Sequence, residues 1–299
     1  MDSTRAASTL RRFSLLLLAG ISSFHAFAQN STMPSHGLWV WKTSTVLAAP
    51  GSTEALRKFC RSHEINEVYL SFSNTGGERG RATEDTWLPN VIRELHQSSI
   101  RVEALLSSTD ADQSGKPREK LLDHIHEVIQ FNQKHPKSAF EGIHLDIEPQ
   151  QRPENKGPGN LNFLPGLIET YHAARELALQ ARIAINADIQ IKLLKGDLSQ
   201  RRNLLTSLPR LTLMLYELNS PSDGATPEQE QQKLLNKSKE TIETAYDGLT
   251  GSDLARLAIG LRTPDYEQRM PRMLQAVDEA LRTNPHYLGW AWHSWNDQR

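Results

Sequence analysis

Short apolar or β-branched runs alternate along this chain with longer stretches whose apolar residues recur at helical spacing. The runs are GLWVW (37–41), EVYLSF (67–72), RVEALL (101–106), EGIHLDIE (141–148), RIAINADI (182–189), LTLMLY (211–216), ARLAIGL (255–261) and YLGWAW (287–292), eight in all. Between them, KLLDHIHEVIQFNQ sets Leu121, Leu122, Ile125, Val128, Ile129 and Phe131 at the spacing of one helix face, and RMLQAVDEALR repeats that pattern near the end of the chain. Strands that alternate with helices argue for parallel pairing, since a parallel connection needs a long crossover. Eight such units predict the α/β class and a single (β/α)8 TIM barrel.

The connections are unequal. Those that follow strands are long and rich in Gly, Pro and polar residues, as in SNTGGERGRATEDTWLP, SSTDADQSGKPRE, QQRPENKGPGN and ELNSPSDGATPEQ; those that lead into strands are short, as in SHEIN, HQSSI and RTNPH. In such barrels function gathers at the C-terminal ends of the strands, where the longer loops lie.

The first 28 residues read differently. Arg5, Arg11 and Arg12 precede the apolar run FSLLLLAGI, and AFA at 26–28 offers a small-residue cleavage site, so residues 1–28 are expected to be a secretory signal peptide. The run is shorter than the roughly 20 apolar residues a membrane span needs. The mature chain is then expected to be residues 29–299, a single barrel domain beginning at Gln29, secreted or periplasmic, with no membrane association once the signal is removed. Its 271 residues suit a barrel, which typically takes about 250. It carries 31 basic and 34 acidic residues, a formal charge of −3, which gives no reason to expect a nucleic acid or an anionic membrane as partner. Cys60 is the sole cysteine, so an apolar core rather than intramolecular disulfides must hold an exported chain together; its place in a helical pattern makes it a buried residue.

The fourth run carries the chemistry. In FEGIHLDIEP, Ile143, Leu145 and Ile147 alternate with His144, Asp146 and Glu148, so a strand here turns its apolar side to the helices and its polar side into the barrel. Asp146 and Glu148 then have α-carbons roughly 6.5–7 Å apart on one face. Carboxyls that close raise one another's proton affinity, and a Glu protonated near neutrality is what expulsion of a sugar oxygen needs. The alternative for this pair is a structural ion pair with Arg182 or Arg262.

FEGIHLDIEP resembles the fourth-strand signature of family-18 glycoside hydrolases, the chitinase and endo-β-N-acetylglucosaminidase group, whose pattern is Asp-Gly-x-Asp-x-Asp-x-Glu. The resemblance implies Glu148 as catalytic acid, Asp146 as the aspartate that orients the substrate's acetamido group, and Gly142 as the motif glycine. LTLMLYEL is similar to the family's sixth-strand Met-x-Tyr-Asp segment, which implies that Tyr216 contacts the N-acetyl group. Two motif positions depart: Glu141 and His144 stand where aspartates occur, so proton sharing between paired aspartates does not carry over unchanged.

Further substrate-binding candidates come from the inward phase of other strands: His144 on the fourth, Asn186 and Asp188 on the fifth, and His293 on the eighth. His144, Asn186 and Asp188 have an alternative as members of a hydrogen-bonded inner network. Aromatic faces suit the apolar faces of pyranoses, and Trp39, Trp41 and Trp295 are the candidate stacking rings. In GWAWHSW the small size of Gly289 and Ala291 puts them, with His293, on the inside and sends Trp290 and Trp292 to the helices, leaving Trp295 as the expected platform.

The function expected is therefore an exported glycoside hydrolase acting on a polysaccharide or oligosaccharide with retention, its nucleophile supplied by the substrate. Three alternatives stay open: a two-carboxylate glycosidase with Glu217 or Asp265 as nucleophile, a metal-dependent hydrolase using His-x-Asp-x-Glu as ligands, and a non-catalytic glycan-binding barrel. The first two are weakened by Ile147 in place of an Asn before Glu148 and by the lack of a second ligand cluster; no cofactor and no metal are expected.

Overall fold

The computed structural model describes residues 34–72, 87–157, 159–216 and 225–298. Eight strands close into one parallel barrel in sequence order, the last pairing with the first. They are β1 (Ser35–Val40), β2 (Glu67–Ser71), β3 (Arg101–Ser108), β4 (Gly142–Ile147), β5 (Ala184–Gln190), β6 (Arg210–Met214), β7 (Arg256–Arg262) and β8 (Tyr287–His293). The barrel expected from the alternation is the barrel observed. The first seven strands are each followed by a longer helix: α1 (Ser52–Ser62), α2 (Trp87–Gln97), α3 (Lys116–Lys134), α4 (Leu164–Ala181), α5 (Leu198–Ser207), α6 (Pro227–Tyr246) and α7 (Met270–Leu281). None of the helices among the described residues is long and apolar enough to cross a membrane. The proposed signal segment and its cleavage point lie outside the described residues, as does most of the loops after β2 and β6.

Alternation along each strand divides the core in two. Outward residues such as Leu38, Val40, Val68, Leu70, Ile143, Leu145 and Ile147 are fully or almost fully buried against the helices, which answer with Leu56, Ile92, Leu121, Ile125, Val128 and Phe131. Cys60 lies in this layer on α1, where burial pushes its thiol up to about 12 and leaves it inert. Trp290 stacks on His36 at 4.2 Å, and Trp292 packs on Phe59 and His63 of the α1 region, so both face outward as the sizes of Gly289 and Ala291 indicated.

The inside of the barrel is polar at its floor. Arg210 donates to Glu67 at 2.7 and 3.2 Å and to Ser35 at 2.9 Å, while Arg101 approaches Glu67 and Glu103 at 3.4 and 3.6 Å. Burial pushes the Glu67 carboxyl up, but Arg210, Arg101 and Ser35 outweigh it and hold Glu67 well below the usual carboxylate range. Gly142 belongs to this floor. A β-carbon there would lie 2.6 Å from the Glu103 carboxylate, which Asn186 pins with two bonds of 2.7 and 2.8 Å. The motif glycine thus makes room for a carboxylate from the neighbouring strand.

Candidate active site

Above the floor lies a layer built around His144. Its Nδ1 faces Glu103 Oε2 at 3.3 Å and its Nε2 faces Asp188 Oδ1 at 2.8 Å, and the Tyr69 ring stacks on it at 3.8 Å. Burial and then the charge of Glu67 push the Glu103 carboxyl up, against the opposing pull of His144 and Arg210. A carboxyl at each ring nitrogen suits a doubly protonated imidazolium. Burial works against that charge, yet Asp188 and Glu103 outweigh it and push the imidazole up to about 10. Asp188 also accepts the indole N–H of Trp39 through Oδ2 at 2.9 Å.

Four of the candidate residues lie in this layer. His144, Asn186 and Asp188 are 1%, 3% and 1% exposed, and every one of them is bonded within the inner network, the alternative role that the sequence offered for them. Trp39 is likewise enclosed, at 1% exposure, and is no stacking platform. The physical reason is that their polar atoms are engaged by one another and by neighbouring strands inside the barrel wall.

The rim residues are Trp41, Glu148, Gln190, Tyr216, Arg262 and His293, each at the end of its strand or just past it and each half-buried. Glu148 stands one residue beyond β4, fixed by its own N–H, which donates to Ser108 O at 2.8 Å. Its carboxylate accepts the amide N–H of Gln150 at 3.1 Å, of Gln190 at 3.5 Å and of Gln151. A side-chain amide can also turn its oxygen to a carboxylic acid, so this shell suits Glu148 in either protonation state. The loops that carry the shell are tied together: Arg152 donates to Asp112 Oδ2 at 2.8 Å and to Thr109 O at 2.7 Å, and Asn155 Nδ2 donates to Pro149 O at 2.9 Å.

Asp146 lies one step inside Glu148, 8% exposed, and its Oδ1 is buried with no hydrogen-bond partner among the described residues. Burial first, then the charges of Asp188 and Glu148, push its carboxyl well above the usual range, against the opposing pull of His144. A buried polar atom without a partner is costly and marks a place where a ligand's donor fits. Tyr216 completes the group, its ring 5.3 Å from His293 and 5.8 Å from the Arg262 guanidinium. Burial, then Asp188, Asp146 and Glu148, push its phenol well above its ordinary value, so it remains an O–H donor.

The aromatic edge of the rim is Trp41. Its indole N–H donates to His293 Nε2 at 2.9 Å, and its backbone exchanges two bonds of 2.8 Å with the Asn296 amide. Trp295, the platform expected from the sequence, is instead 6% exposed and packs on Phe59 at 5.1 Å, on the outside of the barrel. The turn after His293 reverses the phase that simple alternation would extend. Sequence reasoning also missed Glu67, Glu103 and the three glutamines; a lone Glu inside RVEALL was the one visible signal, as an inward charge in an apolar strand.

Of the alternative nucleophiles, Glu217 lies outside the described residues, and Asp265 accepts from Arg262 at 2.8 Å. Among the described residues, no group of three or more His, Cys, Asp or Glu is arranged to hold a metal ion, and both His144 nitrogens are engaged by carboxylates.

No family model matches the sequence, and no curated protein matches it. Solved structures do match in fold. A GH18 chitinase from Pseudoalteromonas aurantia is 11% identical with a TM-score of 0.52, covering 88% of this chain and 94% of its own. A chitinase from Bacteroides thetaiotaomicron is 12% identical with a TM-score of 0.51 over 88% and 89% of the two chains. An exo-β-1,4-mannosidase from Opitutaceae bacterium strain TAV5 is 12% identical with a TM-score of 0.56, over 87% of this chain and 52% of its own. The structure is therefore similar to family-18 chitinases and related glycoside hydrolases in its barrel fold.

Proposed function

We propose that the protein is an exported glycoside hydrolase that cleaves glycans containing N-acetylated sugars with retention, using Glu148 as general acid and the substrate's own acetamido group as nucleophile. The observation that carries this reading is the buried Oδ1 of Asp146, without a hydrogen-bond partner among the described residues, one step inside Glu148 and near Tyr216 at the C-terminal end of the barrel. An acetamido N–H is a donor of the right kind for that oxygen. Its arrival favours the Asp146 anion, so the proton held between the two carboxyls becomes available to Glu148.

In the first step, Glu148 protonates the glycosidic oxygen as the bond from that oxygen to the anomeric carbon breaks. The acetamido oxygen forms a new bond to the anomeric carbon, giving a cyclic cation that the Asp146 carboxylate stabilises through the N–H. Tyr216 donates its O–H to the acetamido group. Water then attacks the anomeric carbon, Glu148 takes its proton, and the acetamido group is restored; two inversions leave the configuration retained. Trp41 at the rim offers the face on which the sugar ring lies.

The test is a screen of the purified chain from Gln29 to Arg299 against N-acetylated and non-acetylated polysaccharides, with products identified by mass spectrometry. Cleavage confined to N-acetylated substrates supports the reading. Equal cleavage of substrates that lack N-acetyl groups removes the acetamido nucleophile and returns the two-carboxylate scheme.

A further inference from the structure

Asp146 and Asp188 are register partners on adjacent strands, so both point into the barrel at one level. Their surroundings differ. Asp188 has both oxygens occupied by donors, His144 Nε2 at 2.8 Å on Oδ1 and Trp39 Nε1 at 2.9 Å on Oδ2, whereas Asp146 Oδ1 has none among the described residues. Donors on both oxygens favour the ionised form, and a charged donor favours it most. An unsolvated carboxyl beside a fixed anion favours the neutral form.

We propose that Asp188 is a positioning residue which, held as an anion by His144 and Trp39, keeps the resting proton of the carboxyl pair on Asp146. The motif position that would supply a second aspartate on β4 holds His144 instead, and the chain rebuilds the acidic pair across two strands, with the histidine serving as the counter-ion of the new partner. The substitution His144 and the aspartate at Asp188 then form one device. The inference deepens the proposed function, on which its catalytic meaning rests, but the location of the proton can be measured without any substrate.

The groups that face Asp146 are few. His144 and Glu148 flank it on β4, Asp188 faces it from β5, and Tyr216 follows β6; Ser107 of β3, its other register partner, carries no charge. Tyr171 of α4 approaches from behind β5, donating to the Asp188 backbone carbonyl at 3.4 Å, and burial followed by Asp188 and Asp146 keeps its phenol protonated. Among the described residues no lysine or arginine is among the groups that act on Asp146; beside its burial, the charges that act on it are those of Asp188, Glu148 and His144.

The test is carboxyl carbon NMR on protein labelled at aspartate Cγ, with the Asp146 signal assigned by its absence in Asp146→Asn. In the wild type, Asp146 is expected to titrate well above the usual carboxylate range. In Asp188→Asn it is expected to fall by about one pH unit or more, the effect of removing a close like charge. Trp39→Phe, which removes one donor from Asp188 and keeps a ring in the core, is expected to move it in the same direction by less; this variant decides the matter if Asp188→Asn fails to fold. An Asp146 titration in the ordinary range in the wild type, or one unmoved in either folded variant, overturns the proposal. On an N-acetylated substrate the pH–rate profile of Asp188→Asn is expected to shift by the same amount. Should the protein cleave no glycan at all, the NMR result still decides the proton's location, and only the proposed function fails.

Discussion

Asp146 and His144 occupy the same face of β4, two residues apart, and the sequence treats them alike. The structure separates them: Asp146 keeps a buried oxygen with no hydrogen-bond partner among the described residues, whereas both ring nitrogens of His144 are engaged, by Glu103 and Asp188. Alternation could place both inside the barrel, but it could not show that partners from β3 and β5 would claim one and leave the other. For Asp146, Asp146→Asn is expected to slow hydrolysis by about 10²–10³-fold, since it removes the negative charge that the cyclic cation needs, and to move the limb of the pH–rate profile that the coupled carboxyls set. An unchanged rate and profile, with kinetics measured from acid to alkaline pH, would take Asp146 out of the mechanism. For His144, the folded value of about 10 exceeds the ordinary 6.5, so its contribution to stability is complete below about 6.5 and is lost as pH rises through about 10. Urea denaturation at a series of pH values is expected to show that decline in the wild type and a shallower one in His144→Gln; parallel slopes would contradict the imidazolium.

At the scale of elements, the strands were legible because each side of the barrel wall has its own surroundings: outward residues must suit the helices, and inward ones a packed interior of polar and aromatic side chains. Strand ends observed at Val40, Ile147, Met214 and His293 fall within two residues of the runs read from the sequence. The phase of β8 was legible as well, from the small size of Gly289 and Ala291, although the turn that carries Trp295 outside was not. What the sequence hid is the contact between strands. Gly142 reads as a motif residue, but its cause is the Glu103 carboxylate lying where a β-carbon would be, 2.6 Å away and fixed by Asn186. Gly142→Ala is therefore expected to destabilise the fold by about 1–3 kcal/mol, the usual cost of overpacking a filled interior. Chemical denaturation of the two proteins checks this, and a change below about 0.5 kcal/mol would show that Glu103 can move aside, as ordinary tolerated surface changes do.

For the whole molecule, a closed barrel with charged layers inside divides labour along its axis. Arg210, Glu67, Glu103 and Asn186 tie strands β2, β3, β5 and β6 together at the floor, and the longer loops bring Gln150, Gln151 and Arg152 to the rim. Likeness to glycoside hydrolase structures at 11–12% identity concerns the barrel fold alone, and the chemistry rests on the side chains themselves. If the chain is exported as its N-terminal pattern indicates, Edman sequencing of secreted material should begin at Gln29; an intact Met1 would refute the signal peptide. The central claim is that Glu148 delivers a proton to a sugar oxygen, and Glu148→Gln tests it most directly, because the amide keeps the shape of the side chain and cannot serve as that acid. With folding verified by circular dichroism, turnover of an N-acetylglucosamine oligomer is expected to fall by about 10²–10⁴-fold while binding of the oligomer persists. Near-normal turnover in the folded variant would contradict the account.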